Sequence, residues 1–220
     1  MDYNPLREEV CHYARKIAES GLVVGSSGNI SVRGPGDNCY IITPTSLTYG
    51  EMTPANIVVC DQEGDQLVEV ENAPSIELPL HVAVYKARPD VNAIFHTHAI
   101  FSTVLAVNRL CLPPITEEMV PYLGGEVQVS QYAQAGSEEL AANVAAALGP
   151  RAAALIANHG NLAVGKNLAK AWAALELVER TARIYVESLR LEAGGHGKVH
   201  SLPAEVLELE TEMYEVMKDL

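Results

Sequence analysis

The sequence predicts an α/β protein: a sheet with substantial antiparallel pairing and helices on its faces. Three observations predict it. Short β-branched runs bounded by turn residues, such as Cys39-Tyr40-Ile41-Ile42-Thr43 and Ile57-Val58-Val59-Cys60, read as strands, whereas stretches such as 167–191 repeat their apolar residues at helical spacing. The order of the elements is a helix, then hairpins, then mixed strands and helices, which is not the regular alternation of a doubly wound parallel sheet. A chain of 220 residues with 48% apolar content can bury an ample core. It reads as one domain over 1–220, in which 194–220 is a C-terminal tail helix reached through a glycine-rich joint.

Taken in order, Asn4-Pro5 opens the first helix as cap and first-turn proline, Leu6, Val10, Tyr13, Ala14 and Ile17 share its inner face, and Gly21 ends it. In Leu22 to Ser31 two apolar segments flank Gly25-Ser26-Ser27-Gly28, which is either a tight turn between strands or an anion-binding loop. The strand at Cys39–Thr43 runs into a hydroxyl cluster, Pro44-Thr45-Ser46. Ile57–Cys60 and Gln66–Val70 form a hairpin around Gln62–Asp65. After Asn72-Ala73-Pro74 a helix is expected over Ser75–Lys86, with Ile76, Leu80, Ala83 and Val84 inward and with Glu77 and His81 on one face. Val91–His98 is a strand, and Ala99–Val107 a helix that Pro113-Pro114 prevents from continuing. Glu126–Val129 alternates like a strand. A helix runs from Ser137 to the stop at Gly149-Pro150, and Ala152–Ile156 is a short buried strand leading into Asn158-His159-Gly160. The long helix from Asn167 to Leu191 takes Trp172 into the core, and Pro203–Leu220 is an acidic amphipathic helix.

Composition narrows the function. The formal charge of −13, from 15 Lys+Arg against 28 Asp+Glu, argues against nucleic acid or an anionic membrane as a partner. An anionic substrate would have to be gripped locally by backbone N–H groups, hydroxyls and a metal. Four dispersed cysteines, no basic-apolar leader and no run long enough to span a membrane point to the cytoplasm.

The chemistry gathers at His96-Thr97-His98. Alternate residues of a strand share a face, so both imidazoles leave the sheet in one direction. A third ligand is sought among His159, His81 and the pair His196 and His200. His159 ranks first, because it too sits where a strand ends. His81 reads as a hydrogen-bonded core histidine, and His12, His196 and His200 as surface residues. Three histidines with an open position suit a catalytic zinc, and Glu77 is the best-placed carboxylate to move a proton beside it.

On Ser27-Gly28-Asn29-Ile30-Ser31, Thr43-Pro44-Thr45, Pro74-Ser75 with Glu77 and His81, His96-Thr97-His98 and Asn158-His159-Gly160, the chain resembles the class II aldolase/adducin family over roughly residues 5 to 190, and within it the zinc-dependent fuculose-phosphate aldolase type. The resemblance implies a three-layer α/β fold with a mainly antiparallel central sheet, and a homotetramer. It makes His96, His98 and His159 the ligands of Zn2+, or of another divalent metal, and Glu77 the catalytic acid/base. Gly28, Asn29, Thr45, Ser46 and Ser75 would line a phosphate pocket. The implied reaction is cleavage of a sugar phosphate into dihydroxyacetone phosphate, or a related ketone, and an aldehyde, through a metal-stabilised enediolate. Epimerases, dehydratases and decarboxylases share the scaffold, and so does the non-catalytic adducin domain. The chain departs from the fuculose-phosphate type at Ile76, where a second serine is usual, at Ser46, which replaces a glycine, at 115–119, where no substrate-side tyrosine is found, and at Ala135, where an aromatic is expected. Tyr214, on the final helix, stands where a tail tyrosine of the family would reach a neighbouring site; the other reading is a structural tyrosine, buried or exposed.

Overall fold

The structure, a computed structural model, describes residues 2–36 and 38–218. Helix α1 (Asn4–Ser20) carries Pro5 in its first turn, where the missing N–H costs nothing; Tyr3, not Asn4, is its cap residue, and Gly21, at φ 73°, turns the chain out. The strands that follow are β1 (Asn29–Arg33), β2 (Tyr40–Ile42), β3 (Val58–Cys60) and β4 (Gln66–Val68). Then come α2 (Leu78–Ala87), β5 (Ala93–Thr97), α3 (Ile100–Val107), α4 (Met119–Leu123) and α5 (Glu138–Leu148). The chain continues through β6 (Ala153–Ile156), β7 (Gly160–Gly165), α6 (Leu168–Ala193) and the tail helix α7 (Ala204–Met217). Of the tail expected to reach Leu220, the last two residues lie outside the described ones.

The seven strands form one sheet in the order β4-β3-β2-β1-β5-β7-β6, with every neighbouring pair antiparallel. Because side chains alternate across a strand, consecutive residues feed opposite layers. Phe95 packs edge-on to Trp172 with α1 and α6 on one face, whereas Ile94 joins Leu80 and Val84 of α2 and Leu140 and Val144 of α5 on the other. The result is helix, sheet, helix. No helix among the described residues is long and apolar enough to cross a membrane.

Several expectations are corrected. Leu22–Val24 forms no strand, and Val24 is 84% exposed, so the glycine-serine loop joins a helix to a strand. Helix α2 starts at Leu78, three residues late, because 76–77 form a turn closed by the Leu78 N–H donating to Ser75 O at 3.0 Å. Ile76, expected inward, is therefore out of helical phase and 69% exposed. Helix α3 ends at Val107, where Arg109 turns left-handed at φ 58°, well before the prolines. Glu126–Val129 makes only isolated bridges, Leu112 to Val127 and Val129 to Leu155. Strand β7 and helix α4 were not expected.

Candidate metal and catalytic site

Antiparallel order brings one end of each central strand to the same edge. Asn29 at the start of β1 pairs with His96 near the end of β5, and Thr97 pairs with Asn161 at the start of β7. His159 lies in the three-residue turn from β6 to β7, beside Asn158 at φ 56°. Gly160 permits this convergence: a Cβ there would come 2.1 Å from the Thr97 carbonyl oxygen.

At this edge His96, His98 and His159 face one another, with ring centroids 4.7 to 5.0 Å apart. Glu77, at the cap of α2, completes the group, and one ligand atom from each of the four lies within 4.8 Å of the others. Glu77 Oε2 is 3.2 Å from His96 Nε2 and Oε1 is 3.5 Å from His159 Nε2. His98 Nε2 stands 3.2 Å from His96 Nε2. Half of the site is buried, with His96 at 0% and Glu77 at 6% exposure, while His98 and His159 lie on its open side.

Hydrogen bonds and burial set the orientation and charge of these groups. His96 Nδ1 donates to the Asn161 carbonyl oxygen at 2.8 Å, which leaves Nε2 to offer its lone pair to the centre. Burial pushes His98 down to about 4, helped by the neighbouring His96 and His159 and opposed by Glu77; burial lowers His159 in the same way. For His96 burial works downward too, but Glu77 outweighs it and the ring is raised. Burial alone would raise Glu77; His96, His159 and the Asn29 N–H together reverse that and hold its carboxyl well below the usual range. Glu77 Oε1 is buried with no hydrogen-bond partner among the described residues. Three converging imidazole nitrogens beside an unsatisfied buried carboxylate oxygen are a donor set that a divalent metal fits.

The expected phosphate cradle lies at the same edge. Gly28, at φ 78°, sits so close to β5 that a Cβ would come 2.5 Å from the His96 carbonyl oxygen. The Thr45 N–H donates to Ala73 O at 3.0 Å and the Ser75 N–H to Thr43 O at 3.2 Å, zipping the hydroxyl loop to the segment that leads into Glu77. The Glu77 N–H donates to Ser75 Oγ at 3.3 Å. Ser46 holds φ 60°, a conformation that a side chain adopts at a cost of about 1 kcal/mol. Asn29 differs from expectation in where its side chain goes: it is 2% exposed, donates from Nδ2 to Glu77 Oε2 at 2.8 Å, and turns Oδ1 to His81 Nε2. His81 is the core histidine expected, 0% exposed, and burial pushes it down to about 3. His12, His196 and His200 are exposed and away from the cluster. Tyr214 is buried, donating to Pro150 O at 2.8 Å.

Two supporting residues were missed in the sequence. Asn161 is fully buried; besides fixing His96 through its carbonyl, its side chain accepts from Thr97 Oγ1 at 2.9 Å and donates to Ser102 Oγ at 2.8 Å. Glu179 of α6 accepts from the Phe101 and Ser102 N–H groups at 2.8 and 2.9 Å, capping α3 immediately after His98. Asn161 had a signal in its place after Gly160. Glu179 had none, being one acid among many on a long helix.

Residues 8–186 match the model of the Class II Aldolase and Adducin N-terminal domain. The chain is 33% identical over 182 residues, 83% of its length and 84% of the relative's, to 5-deoxy-D-ribulose 1-phosphate aldolase of Bacillus thuringiensis serovar kurstaki. It is 36% identical over 214 residues, 97% of its length and 93% of the relative's, to 5-methylthioribulose-1-phosphate/5-deoxyribulose-1-phosphate aldolase of Rhodospirillum rubrum. Among solved structures, an L-fuculose 1-phosphate aldolase superposes with a TM-score of 0.88 at 37% identity, covering 98% of both chains.

Proposed function

Because the chain belongs to the class II aldolase and adducin N-terminal domain family, we propose that it is a metal-dependent aldolase that cleaves a ketose 1-phosphate into dihydroxyacetone phosphate and an aldehyde. The observation that carries this reading is the Oε1 of Glu77, which makes no hydrogen bond among the described residues, a proton acceptor held among three imidazoles and two residues from a hydroxyl of the cradle. His96, His98 and His159 would hold the ion, and zinc suits a set of three imidazoles with an open fourth position. When bound, it supplies Lewis acidity toward substrate oxygens and offsets negative charge that develops there.

The chain's own residues do the rest. The N–H groups of Gly28 and Asn29 and the hydroxyls of Thr45, Ser46 and Ser75 grip the phosphate, which lets so acidic a protein bind an anion without a basic surface. In the cleavage direction the C3–C4 bond breaks, the C4 hydroxyl loses its proton as the aldehyde forms, and C3 gains one. Glu77 Oε1 takes the C4 hydroxyl proton as the aldehyde forms and delivers a proton to C3, which returns the carboxylate to its ionised form, while Asn29 pins Oε2. The relatives' names supply the substrates to try, because each is a ketose 1-phosphate. An apolar stripe exposed on α3, formed by Ile100, Val104 and Val107, supports the assembly into a homotetramer that the resemblance implies.

The test is to load the protein with zinc and offer 5-deoxyribulose 1-phosphate, 5-methylthioribulose 1-phosphate and fuculose 1-phosphate, coupling dihydroxyacetone phosphate to NADH oxidation. Oxidation with at least one of the three is expected. Silence across the panel, with epimer formation or carbon dioxide release from a related sugar acid, would replace the aldolase with another enolate chemistry.

A further inference from the structure

A line of buried polar groups leads away from Glu77 between β1 and α2. Asn29 and Ser31 alternate on β1 and share a face, while His81 and Tyr85 lie one turn apart on α2. All four are nearly or wholly inaccessible to water. Asn29 Nδ2 donates to Glu77 Oε2, and Asn29 Oδ1 meets His81 Nε2. His81 Nδ1 is 2.6 Å from Ser31 Oγ, and Ser31 Oγ is 2.8 Å from the Tyr85 hydroxyl.

The direction of every hydrogen in this line follows from its end at Glu77. An ionised carboxylate only accepts, so Asn29 must turn its NH2 to Glu77 and its carbonyl to His81. A carbonyl only accepts as well, so His81 carries a proton on Nε2. No carboxylate borders the His81 ring, only an amide and a hydroxyl, so the ring stays neutral and offers a lone pair at Nδ1. Ser31 therefore donates to it, and with its one hydrogen spent accepts from Tyr85. All four bonds point the same way, toward the carboxylate. Reversing any member sets two acceptors or two donors against each other where no water can intervene.

We propose that Tyr85, Ser31 and His81 are positioning residues for Glu77: together they lock the Asn29 amide in the one orientation that offers an N–H to Oε2, and so keep Oε1 as the free edge of the carboxylate. This rests on Glu77 being the proton carrier. Were the lock removed, the amide could rotate by half a turn, present its carbonyl to the carboxylate and repel it from its place. Packing alone would require no particular tautomer and no hydroxyl at position 31.

The experiment has two arms. In zinc-loaded protein labelled with 15N-histidine, the His81 ring, identified by its loss in His81→Gln, is expected as the neutral Nε2–H tautomer at pH 7. In Ser31→Ala, kcat is expected to fall by about tenfold or more with KM within about threefold and bound zinc unchanged, whereas Ser31→Thr, which keeps the hydroxyl, recovers most of kcat. An Nδ1–H tautomer or an imidazolium in the wild type overturns the proposal, and so does wild-type kcat in a folded Ser31→Ala. If that variant does not fold, the wild-type spectrum and Tyr85→Phe, which loses only the first donor, decide. If no ketose phosphate is cleaved, the aldolase reading falls separately; the tautomer, and the positions of Asn29 and Glu77 in a crystal of Ser31→Ala, then judge the lock.

Discussion

In Glu77 one carboxylate oxygen is held by the Asn29 amide, while the other makes no hydrogen bond among the described residues and lies 3.5 Å from His159 Nε2, a geometry suited to exchanging a proton at a single edge. Glu77→Gln keeps the shape and removes the exchange, so zinc content should stay near that of the wild type while turnover falls by about 100-fold or more. Metal analysis and kcat on the same preparation check both halves, and wild-type turnover would remove Glu77 from the chemistry. The neighbouring rings show why the cluster can wait for its ion. Burial keeps His98 and His159 neutral, and the Asn161 carbonyl fixes which nitrogen of His96 faces inward. Asn29 is the residue whose role the sequence concealed. The family resemblance implies an amide that lines a phosphate pocket, but its side-chain direction is decided by Glu77 and His81, both distant in sequence.

At the scale of elements, the site depends on how closely β5 and β7 approach. Gly160→Ala puts a methyl group against the Thr97 carbonyl, so the strands must part. A loss of about 1–3 kcal/mol is expected in chemical unfolding, together with weaker zinc retention, because His98 and His159 flank the contact. Much of this architecture was legible: α5 and α6 from their caps and apolar spacing, α1 from its first-turn proline and apolar spacing, β2 and β3 from β-branched runs, β5 from its apolar run, and the shared direction of His96 and His98 from their two-residue period. What was not legible depends on tertiary partners. Glu126–Val129 has the alternation of a strand but finds no ladder, whereas β7, bounded by glycines, becomes a strand because β5 and β6 flank it. The start of α2 was misjudged because the turn at 76–77, which releases Ile76 to solvent, is fixed by the zipped loop before it.

For the molecule as a whole, buried imidazoles make stability depend on acidity. His81 titrates near 6.5 when unfolded and about 3 when folded, so between those values the unfolded chain binds a proton that the folded one refuses. Its contribution is complete above pH 6.5 and is lost as pH falls toward 3. His98 acts in the same sense, with a folded value of about 4, and the lowered carboxyl of Glu77 adds to the loss at still lower pH. His96, raised by Glu77, works the other way, contributing below 6.5 and losing that contribution as pH rises. Urea unfolding of the metal-free protein should therefore show lower stability at pH 5 than at pH 7, with about 2 kcal/mol of the difference due to His81. His81→Gln should flatten the profile, and an equal slope in the two proteins would show that the histidine titrates freely in the fold.

The strand order also sets a sequence of events in time. Strands β1 to β4 meander, each beside its predecessor, and can pair as soon as they are made; β5 then joins β1 across a long stretch of chain, and β7 joins β5. Glu77 and the cradle loops belong to the early half, His96, His98 and His159 to the late one, and the β1–β5 ladder is the seam between them, with Asn29 and His96 directly opposed across it. No ion can find all four groups until the seam has closed. A divalent metal held by these four groups would act as a clasp on a completed sheet, favouring by mass action the one state in which both halves have met.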